Sequence, residues 1–213
     1  MQQDSSADNI SLGLPLAPED QARADFYGLL ARLFLSPPDA ALLDALAANS
    51  SLGESSDGQP LDAAWEKLSL TARLLPTAQV VEEFNALFIS TGAPKISPHG
   101  SIYLAGFLHE KPLALLRADL AKLGLGRRAG ASETEDHLGV LCETMRQLIV
   151  RRSSLQAQQN FFRQHVSSWY AACLKQMHQA EGAQFYARVA ELADSFFLIE
   201  QEAFELADDV ALH

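Results

Sequence analysis

The chain has 213 residues, with 16 basic and 27 acidic side chains and a formal net charge of −11. A nucleic-acid-binding protein needs a basic face to neutralise phosphates, so this acidity argues against that class. Hydrophobic residues make up 48% and charged residues 20% of the chain, which is typical of a folded protein and not of a disordered one.

Cysteine content and hydropathy exclude further classes. The two cysteines, Cys142 and Cys173, cannot form a disulfide framework or a four-cysteine zinc site. No apolar run approaches the ~20 residues of a membrane span, so stable membrane insertion is not expected. Asp4 and Asp8 stand where a secretory signal would carry basic residues, which favours a cytoplasmic protein.

The first half of the chain predicts short helices separated by loops. Pro18 begins a helix whose apolar positions recur with helical spacing up to Phe34, and the prolines after Ser36 end it. Start and stop signals predict further helices over about 37–48, 61–75, 77–90 and 112–123. The stretches 49–60 and 91–100 are rich in turn residues and are expected to be loops.

The second half predicts long helices, because all nine prolines lie at or before Pro112. Residues 124–132 are small and Gly-rich, which indicates a hinge-like linker. Ser132 and Glu135 have the spacing of a capping box before a helix that runs to about Arg152. Two more helices are expected over 155–182 and from 185 onward, with the two cysteines buried.

These patterns predict an all-α fold: a single globular helical bundle of about eight or nine helices. We expect a flexible N-terminal segment (1–18) and a helical domain (19–213). The domain consists of an N-terminal part (19–123), the linker (124–132) and a C-terminal part (133–213). The adjacent pairs at 161–162 and 196–197 are all Phe, which indicates either a broad buried helix surface or a subunit interface.

Charge is unevenly distributed along this plan. Residues 1–112 have a net charge of −8, residues 113–153 of +2, and residues 154–213 of −5. The slightly basic middle segment nevertheless contains the densest polar cluster, Glu133, Glu135, Asp136 and His137. Helix capping by these acids is the simpler interpretation, and a site for a cationic ligand is the sharper one. A metal site is a weaker interpretation, since Asp136 and His137 would point about 100° apart on a helix.

A second candidate region lies around Pro98. Here Pro98 and Gly100 bend the backbone, while Ser101 and Tyr103 place hydroxyl groups beside apolar residues. The alternative is a buried connection that packs Tyr103 into the core. The sequence contains no phosphate-binding loop and no nucleophile elbow, so no catalytic residue is assigned.

Several segments together resemble one known family. Residues 83–88 (EFNALF) are similar to its E-[YF]-x-x-L-F helix, and 98–104 (PHGSIYL) to its P-[YH]-x-S-x-Y segment. Residues 133–138 (ETEDHL) resemble its E-x-[ED]-D-H-[LI] signature, and 162–169 its F-x-x-H-x-x-x-W stretch. The family is the TorD/DmsD (NarJ-like) family of redox-enzyme maturation chaperones, and the resemblance covers roughly residues 20–205. One departure is His99, where many members have an aromatic residue.

The resemblance implies a non-catalytic cytoplasmic chaperone of the all-α type. Such chaperones bind the N-terminal, often twin-arginine, signal peptide of a molybdopterin-dependent oxidoreductase subunit. They hold the apo form for cofactor insertion before export or assembly. Weak contact with the molybdopterin cofactor or GTP is possible in this family, and members occur as monomers or domain-swapped homodimers. No bound cofactor and no metal is expected.

By motif position, the resemblance implies peptide-binding roles for seven residues: Glu133, Glu135, Asp136, His137, Pro98, Ser101 and Tyr103. Carboxylates can bind arginine through paired hydrogen bonds, and an apolar groove between helices can hold the hydrophobic part of a leader. Two alternatives remain open. One is a helical enzyme or molybdopterin/guanine-nucleotide carrier that uses residues 133–137, with Arg127 and Arg128 as phosphate contacts. The other is a helical adaptor without signal-peptide preference.

Overall fold

The computed structural model describes residues 15–49, 59–89, 94–108, 111–127 and 133–211, and side chains of the last helix up to residue 207. Expectations for the loops around 50–58 and 90–93, and for most of the linker (128–132), lie outside the described residues. The described residues form no β-strand, so the predicted all-α fold is confirmed. The α-helices in chain order are α1 (Pro18–Leu35), α2 (Ala40–Ala48), α3 (Pro60–Leu74), α4 (Thr77–Phe88), α5 (Gly100–Ala105), α6 (Lys111–Lys122), α7 (Leu138–Val150), α8 (Leu155–Phe162), α9 (Tyr170–His178) and α10 (Phe185–Ala211).

Helices from both sides of the predicted linker share one hydrophobic core. The first helix, α1, lies along α7, and α3 packs on α10. Tyr27 and Leu30 of α1 are fully buried in this core. The close approach of α1 to α7 depends on Gly139, since a Cβ atom there would lie 2.7 Å from the Cγ atom of Leu35.

The aromatic pairs and the cysteines belong to this core. All four Phe side chains at 161–162 and 196–197 are buried, which confirms the interpretation as a broad buried helix surface. Cys142 and Cys173 are buried and unpaired, as predicted. Burial raises the pKa of both thiols, that of Cys173 to about 12, so neither is a nucleophile at neutral pH.

A buried carboxylate fixes the start of the longest helix. Glu83 of α4 is 8% exposed and accepts hydrogen bonds from three successive backbone N–H groups, those of Gln184, Phe185 and Tyr186, at 2.7–3.1 Å. The first N–H groups of a helix have no partner within the helix, and its N-terminus favours negative charge. The Glu-Phe motif at 83–84 therefore has a structural role: it ties α4 to α10.

The described residues form ten α-helices, against about eight or nine expected; the differences are the short helix α5 and an interruption of one long helix. The helix expected over 155–182 is broken by a π-helical turn at Arg163–Ser167 and by Trp169. The indole N–H of Trp169 donates to the carbonyl of His165 at 2.7 Å, which fixes the break. The short helix α5 was expected only as a loop and short segment; it ends at Gly106, whose φ of 82° suits glycine.

The start of α7 also differs from the prediction. The helix begins at Leu138, with His137 as N-cap residue, and not at the expected capping box of Ser132 and Glu135. Ser132 itself lies outside the described residues. Residues 133–136 form a turn because their carboxylates bond to other elements and not to the first turn of α7.

Candidate functional site

The two candidate regions of the sequence lie side by side in the structure. The backbone N–H of Gly100 donates to the carbonyl of Asp136 at 2.9 Å, and that of Leu138 donates to the carbonyl of Pro98 at 2.8 Å. These bonds form an isolated antiparallel bridge between His99 and His137. We call the residues 97–104 and 133–138 the motif junction. It joins the loop before α5 to the turn before α7.

Asp136 holds the junction together. One carboxylate oxygen accepts from the backbone N–H and the hydroxyl of Ser101, at 3.0 and 2.5 Å, and the other accepts from the Thr134 hydroxyl at 2.6 Å. Asp136 is 4% exposed and Ser101 is fully buried. Burial alone would raise the pKa of Asp136, but these hydrogen bonds outweigh it and hold the pKa below its usual value. The carboxylate therefore caps α5, and not α7, the helix that follows it in the chain.

Glu135 is also engaged within the protein. Its two oxygens accept from the guanidinium of Arg117 on α6, at 3.0 and 2.8 Å, in a bidentate pair. The Glu135 side chain is 9% exposed, whereas that of Arg117 is 49% exposed. Burial alone would raise the pKa of Glu135, but the bonds from Arg117 lower it. Arg117 of the same chain therefore already binds the Glu135 carboxylate, which the sequence had suggested as the partner of an arginine in the ligand.

His137 is the N-cap of α7, and its environment keeps it neutral. Its Nδ1 atom accepts from the backbone N–H of Gly139 at 3.0 Å, so the proton of the neutral ring is on Nε2. Burial, with a smaller contribution from His99, lowers the pKa of His137 to about 3. The His99 ring lies 4.9 Å away, edge to face, and its Nε2 is 3.3 Å from an oxygen of Glu133.

These three residues form a candidate metal-ligand set that the sequence did not reveal. One ligand atom from each of His99, Glu133 and His137 lies within 4.8 Å of the others. A histidine ligand must present a lone pair, and the bond from Gly139 uses the Nδ1 lone pair of His137 while Nε2 carries the proton. A metal ion on His137 would have to break the cap of α7, so the arrangement fits capping better than coordination.

An open groove with apolar walls lies on the α5–α6 side of the junction. Its volume is about 390 Å³, and α5, α6, the π-helical turn and Trp169 form its walls. Its apolar lining consists of Leu104, Pro112, Leu115, Leu116 and Trp169. Leu115 is 65% exposed. Phe107, which follows α5 in the sequence, is 71% exposed. A concave, mostly apolar site of this size with a few polar groups is typical of binding sites.

The predicted site residues do not share one cavity. Ser101 and Asp136 line the groove. Pro98, Glu133 and His137 line a small cavity of about 70 Å³ at α1 and α4. Glu133 and Glu135 border a third cavity beside α7. Tyr103 stacks on Trp169, with centroids 5.4 Å apart, and donates its hydroxyl to Gln176, so it supports the groove wall from behind.

The groove also contains residues that the site prediction missed. Asp119, Gln164 and His165 line it but were not assigned to the site. A signal for part of this set was present, since His165 and Trp169 belong to the F-x-x-H-x-x-x-W stretch. Asp119 has no motif, and only the packing of α6 on the π-helical turn brings it to the groove.

Fold and groove define an all-α helical protein with an open, apolar and partly acidic cleft. The family model described as nitrate reductase delta subunit matches residues 54–175, more than half of the chain. A chaperone protein TorD from Vibrio cholerae is 26% identical over 196 residues, covering 83% of this chain and 89% of the relative. A chaperone protein TorD from Shewanella loihica is also 26% identical, covering 87% and 94%.

A structural comparison agrees with the fold. A solved structure from Archaeoglobus fulgidus, assigned to redox enzyme maturation, covers 92% of this chain and 99% of its own, with 19% identity and a TM-score of 0.52. The chain belongs to the TorD/DmsD (NarJ-like) family of redox-enzyme maturation chaperones. Within the described residues, none of the helices combines the length and hydropathy needed to cross a membrane.

Proposed function

We propose that this chaperone binds the N-terminal signal peptide, of the twin-arginine type, of a molybdopterin-dependent oxidoreductase subunit. It holds the apo form in the cytoplasm for cofactor insertion before export or assembly. The observation that carries the proposal is the groove, whose apolar walls are exposed beside two acidic side chains, Asp119 and Asp136. A leader of this type combines arginines with an apolar stretch, and both halves have a complement here.

The walls suit a helical or extended apolar segment. Leu104 and Leu115 are 44% and 65% exposed on α5 and α6, while Leu116 and Trp169 form a buried base. Covering such apolar surface is favourable by about 25 cal/mol per Å² removed from water. The net charge of −11 would additionally attract a cationic leader.

The alternative function, a helical enzyme or cofactor carrier, rests on residues 133–137. Three of these side chains already bind other groups of the protein. Asp136 is saturated by Ser101 and Thr134, and Glu135 is paired with Arg117. His137 has a pKa of about 3 and serves as a helix cap. A general acid or base works best with a pKa near the operating pH, and none of these three groups provides it.

Peptide binding by calorimetry tests the proposal. The probe is a synthetic peptide with two adjacent arginines followed by a leucine- and alanine-rich stretch. We expect Leu115→Glu to weaken binding at least about tenfold, or 1.4 kcal/mol, because it places a charge on the apolar wall. Leu70→Glu is the matched control, since Leu70 is 53% exposed on α3, outside the groove. Equal affinity of the two variants would contradict a role for the groove.

The client is tested separately. Affinity-tagged chaperone from its native host should retain a molybdoenzyme catalytic subunit, and the Leu115→Glu variant should retain less of it. Recovery of that subunit at equal yield with both proteins would mean that the mature enzyme body, and not the groove, provides the main contact.

A further inference from the structure

A second cavity adjoins the groove and shares lining residues with it. This second cavity, about 300 Å³, is lined on its far side by Leu123, Ala157, Asn160 and Phe161. Asp119, Gln164 and His165 line both cavities. A carboxylate therefore stands between two partly apolar recesses, one toward α5 and one toward α8.

Asp119 has one fixed partner and one exposed partner. One oxygen lies 3.1 Å from Nε2 of His165, whose side chain is 8% exposed. The other oxygen lies 2.7 Å from the ammonium of Lys122, whose side chain is 75% exposed. Such exposed pairs three residues apart on a helix contribute little, so Lys122 is readily displaced. The Asp119 side chain remains 26% exposed.

At neutral pH, the charge states of Asp119 and His165 allow the Asp119 carboxylate to bind a cation. Burial lowers the pKa of His165, so at neutral pH this ring is uncharged and donates a hydrogen bond. Hydrogen bonds from Lys122 and His165 lower the pKa of Asp119, so the carboxylate is ionised. Once Lys122 leaves, Asp119 presents a negative charge beside the uncharged ring of His165.

The other groove carboxylate is not available in this way. Among the described residues, the groove is lined by two acids, Asp119 and Asp136. Asp136 is 4% exposed, and both of its oxygens accept hydrogen bonds from Ser101 or Thr134. A ligand arginine would have to disrupt the motif junction to reach it, whereas Asp119 only has to release a surface lysine.

The backbone at this position is unusual as well. Gln164 and His165 lie in the π-helical turn, which replaces regular α-helix between α8 and α9. Turns of this kind are frequently found at functional sites. Here it brings His165 within hydrogen-bond distance of Asp119.

We infer that Asp119 anchors a basic side chain of the segment that occupies the groove, with the apolar side chains next to it in that segment packed on the groove walls. The inference rests on the proposed function and names its charge-reading residue. The basic group displaces Lys122, while His165 keeps the carboxylate oriented. The partner is a peptide segment with an arginine or lysine inside or beside an apolar stretch.

Two peptides and three variants test this inference. The probes are the twin-arginine peptide described above and the same peptide with both arginines replaced by glutamine. We expect Asp119→Asn to weaken binding of the arginine peptide about tenfold and to leave the glutamine peptide unchanged. Lys122→Ala should strengthen arginine-peptide binding, because it removes the competing cation. Asp44→Asn, an exposed acid on α2, controls for net charge.

The outcomes separate the two proposals. If Asp119→Asn retains the full preference for arginine, or loses affinity for both peptides equally, the inference is overturned while groove binding stands. If the wild-type protein binds neither peptide, the proposed function fails and the inference fails with it. Lys122→Ala guards against misfolding of Asp119→Asn, and unchanged or weaker arginine-peptide binding by this variant would also overturn the inference.

Discussion

Replacement of Asp136 tests whether the most motif-like residue of the chain acts in folding. Asp136→Ala leaves the Ser101 N–H, the Ser101 hydroxyl and the Thr134 hydroxyl without their acceptor. Hydrogen bonds to a charged group contribute about 1.5–3 kcal/mol each, and buried unpaired donors cost a similar amount. Ser101 is fully buried, whereas Thr134 is half-buried and can turn to water. We therefore expect a loss of about 3–5 kcal/mol in the free energy of unfolding.

Asp136→Asn should be milder, which gives the prediction its specificity. The amide oxygen can keep the two bonds from Ser101, and the amide N–H₂ can donate to a reversed Thr134 hydroxyl. Only charge assistance is lost, so we expect about 1–2 kcal/mol. For a protein of this length, each kcal/mol shifts the melting temperature by about 2–4 °C. The expected decreases are about 10 °C for the Ala variant and about 4 °C for the Asn variant.

The assay is thermal and urea unfolding followed by circular dichroism. Asp44→Ala is the control, because this exposed residue on α2 should change the free energy of unfolding by less than about 0.5 kcal/mol. The double variant with Ser101→Ala should be less destabilised than the sum of the single variants, since both remove the same bonds. An Asp136→Ala protein with the melting temperature of the wild type would refute the structural role of Asp136. It would leave the carboxylate available for ligand binding.

The same substitution predicts a pH dependence with a definite sign. The pKa of Asp136 is lowered in the folded protein, so its contribution is present above the unfolded pKa of about 3.9. It is lost as the pH falls through the lower, folded-state pKa. The difference in free energy of unfolding between wild type and Asp136→Asn should therefore shrink between pH 6 and pH 3. A difference that stays constant over this range would contradict the assignment.

Two further predictions concern the scaffold. Glu83→Gln should lower the free energy of unfolding by about 3 kcal/mol, because the negative charge at the helix N-terminus is lost and the amide N–H₂ replaces one of the two accepting oxygens, so that it faces a helix N–H group. Glu82→Gln, at an exposed neighbouring position, should be nearly neutral in urea titrations. Gly139→Ala should cost about 1–3 kcal/mol despite its better helix propensity, because its Cβ would lie 2.7 Å from Leu35 Cγ. Gly126→Ala meets nothing within 4 Å and is the control; equal melting of both variants would show that α1 can shift away from α7.

The sequence predicted the fold class because helical periodicity and the position of the prolines act locally. It did not predict the break at the π-helical turn, since Phe162, Val166 and Trp169 keep an unbroken apolar pattern across it. The break depends on the Trp169 indole bonding to a carbonyl, which no pattern encodes.

The sequence indicated that Glu135, Asp136 and His137 cluster at the junction, but it did not indicate their hydrogen-bond partners. Each is engaged by a different element: Arg117 of α6, Ser101 of α5 and the first turn of α7. Contacts over 18 to 35 residues along the chain are set by packing. The sequence also did not indicate Asp119, because a single acid on a helix has no spacing pattern and only packing brings it to the groove.

The pairing of α1 with α7 has a consequence for synthesis on the ribosome. α1 is made first, but α7, the helix along which it packs, starts only at Leu138. The nascent chain must therefore keep the apolar face of α1 uncovered while the 102 residues from 36 to 137 are translated. Such distant contacts also slow folding, since a long loop must close before they form. This maturation chaperone is therefore itself prone to aggregation during its own synthesis.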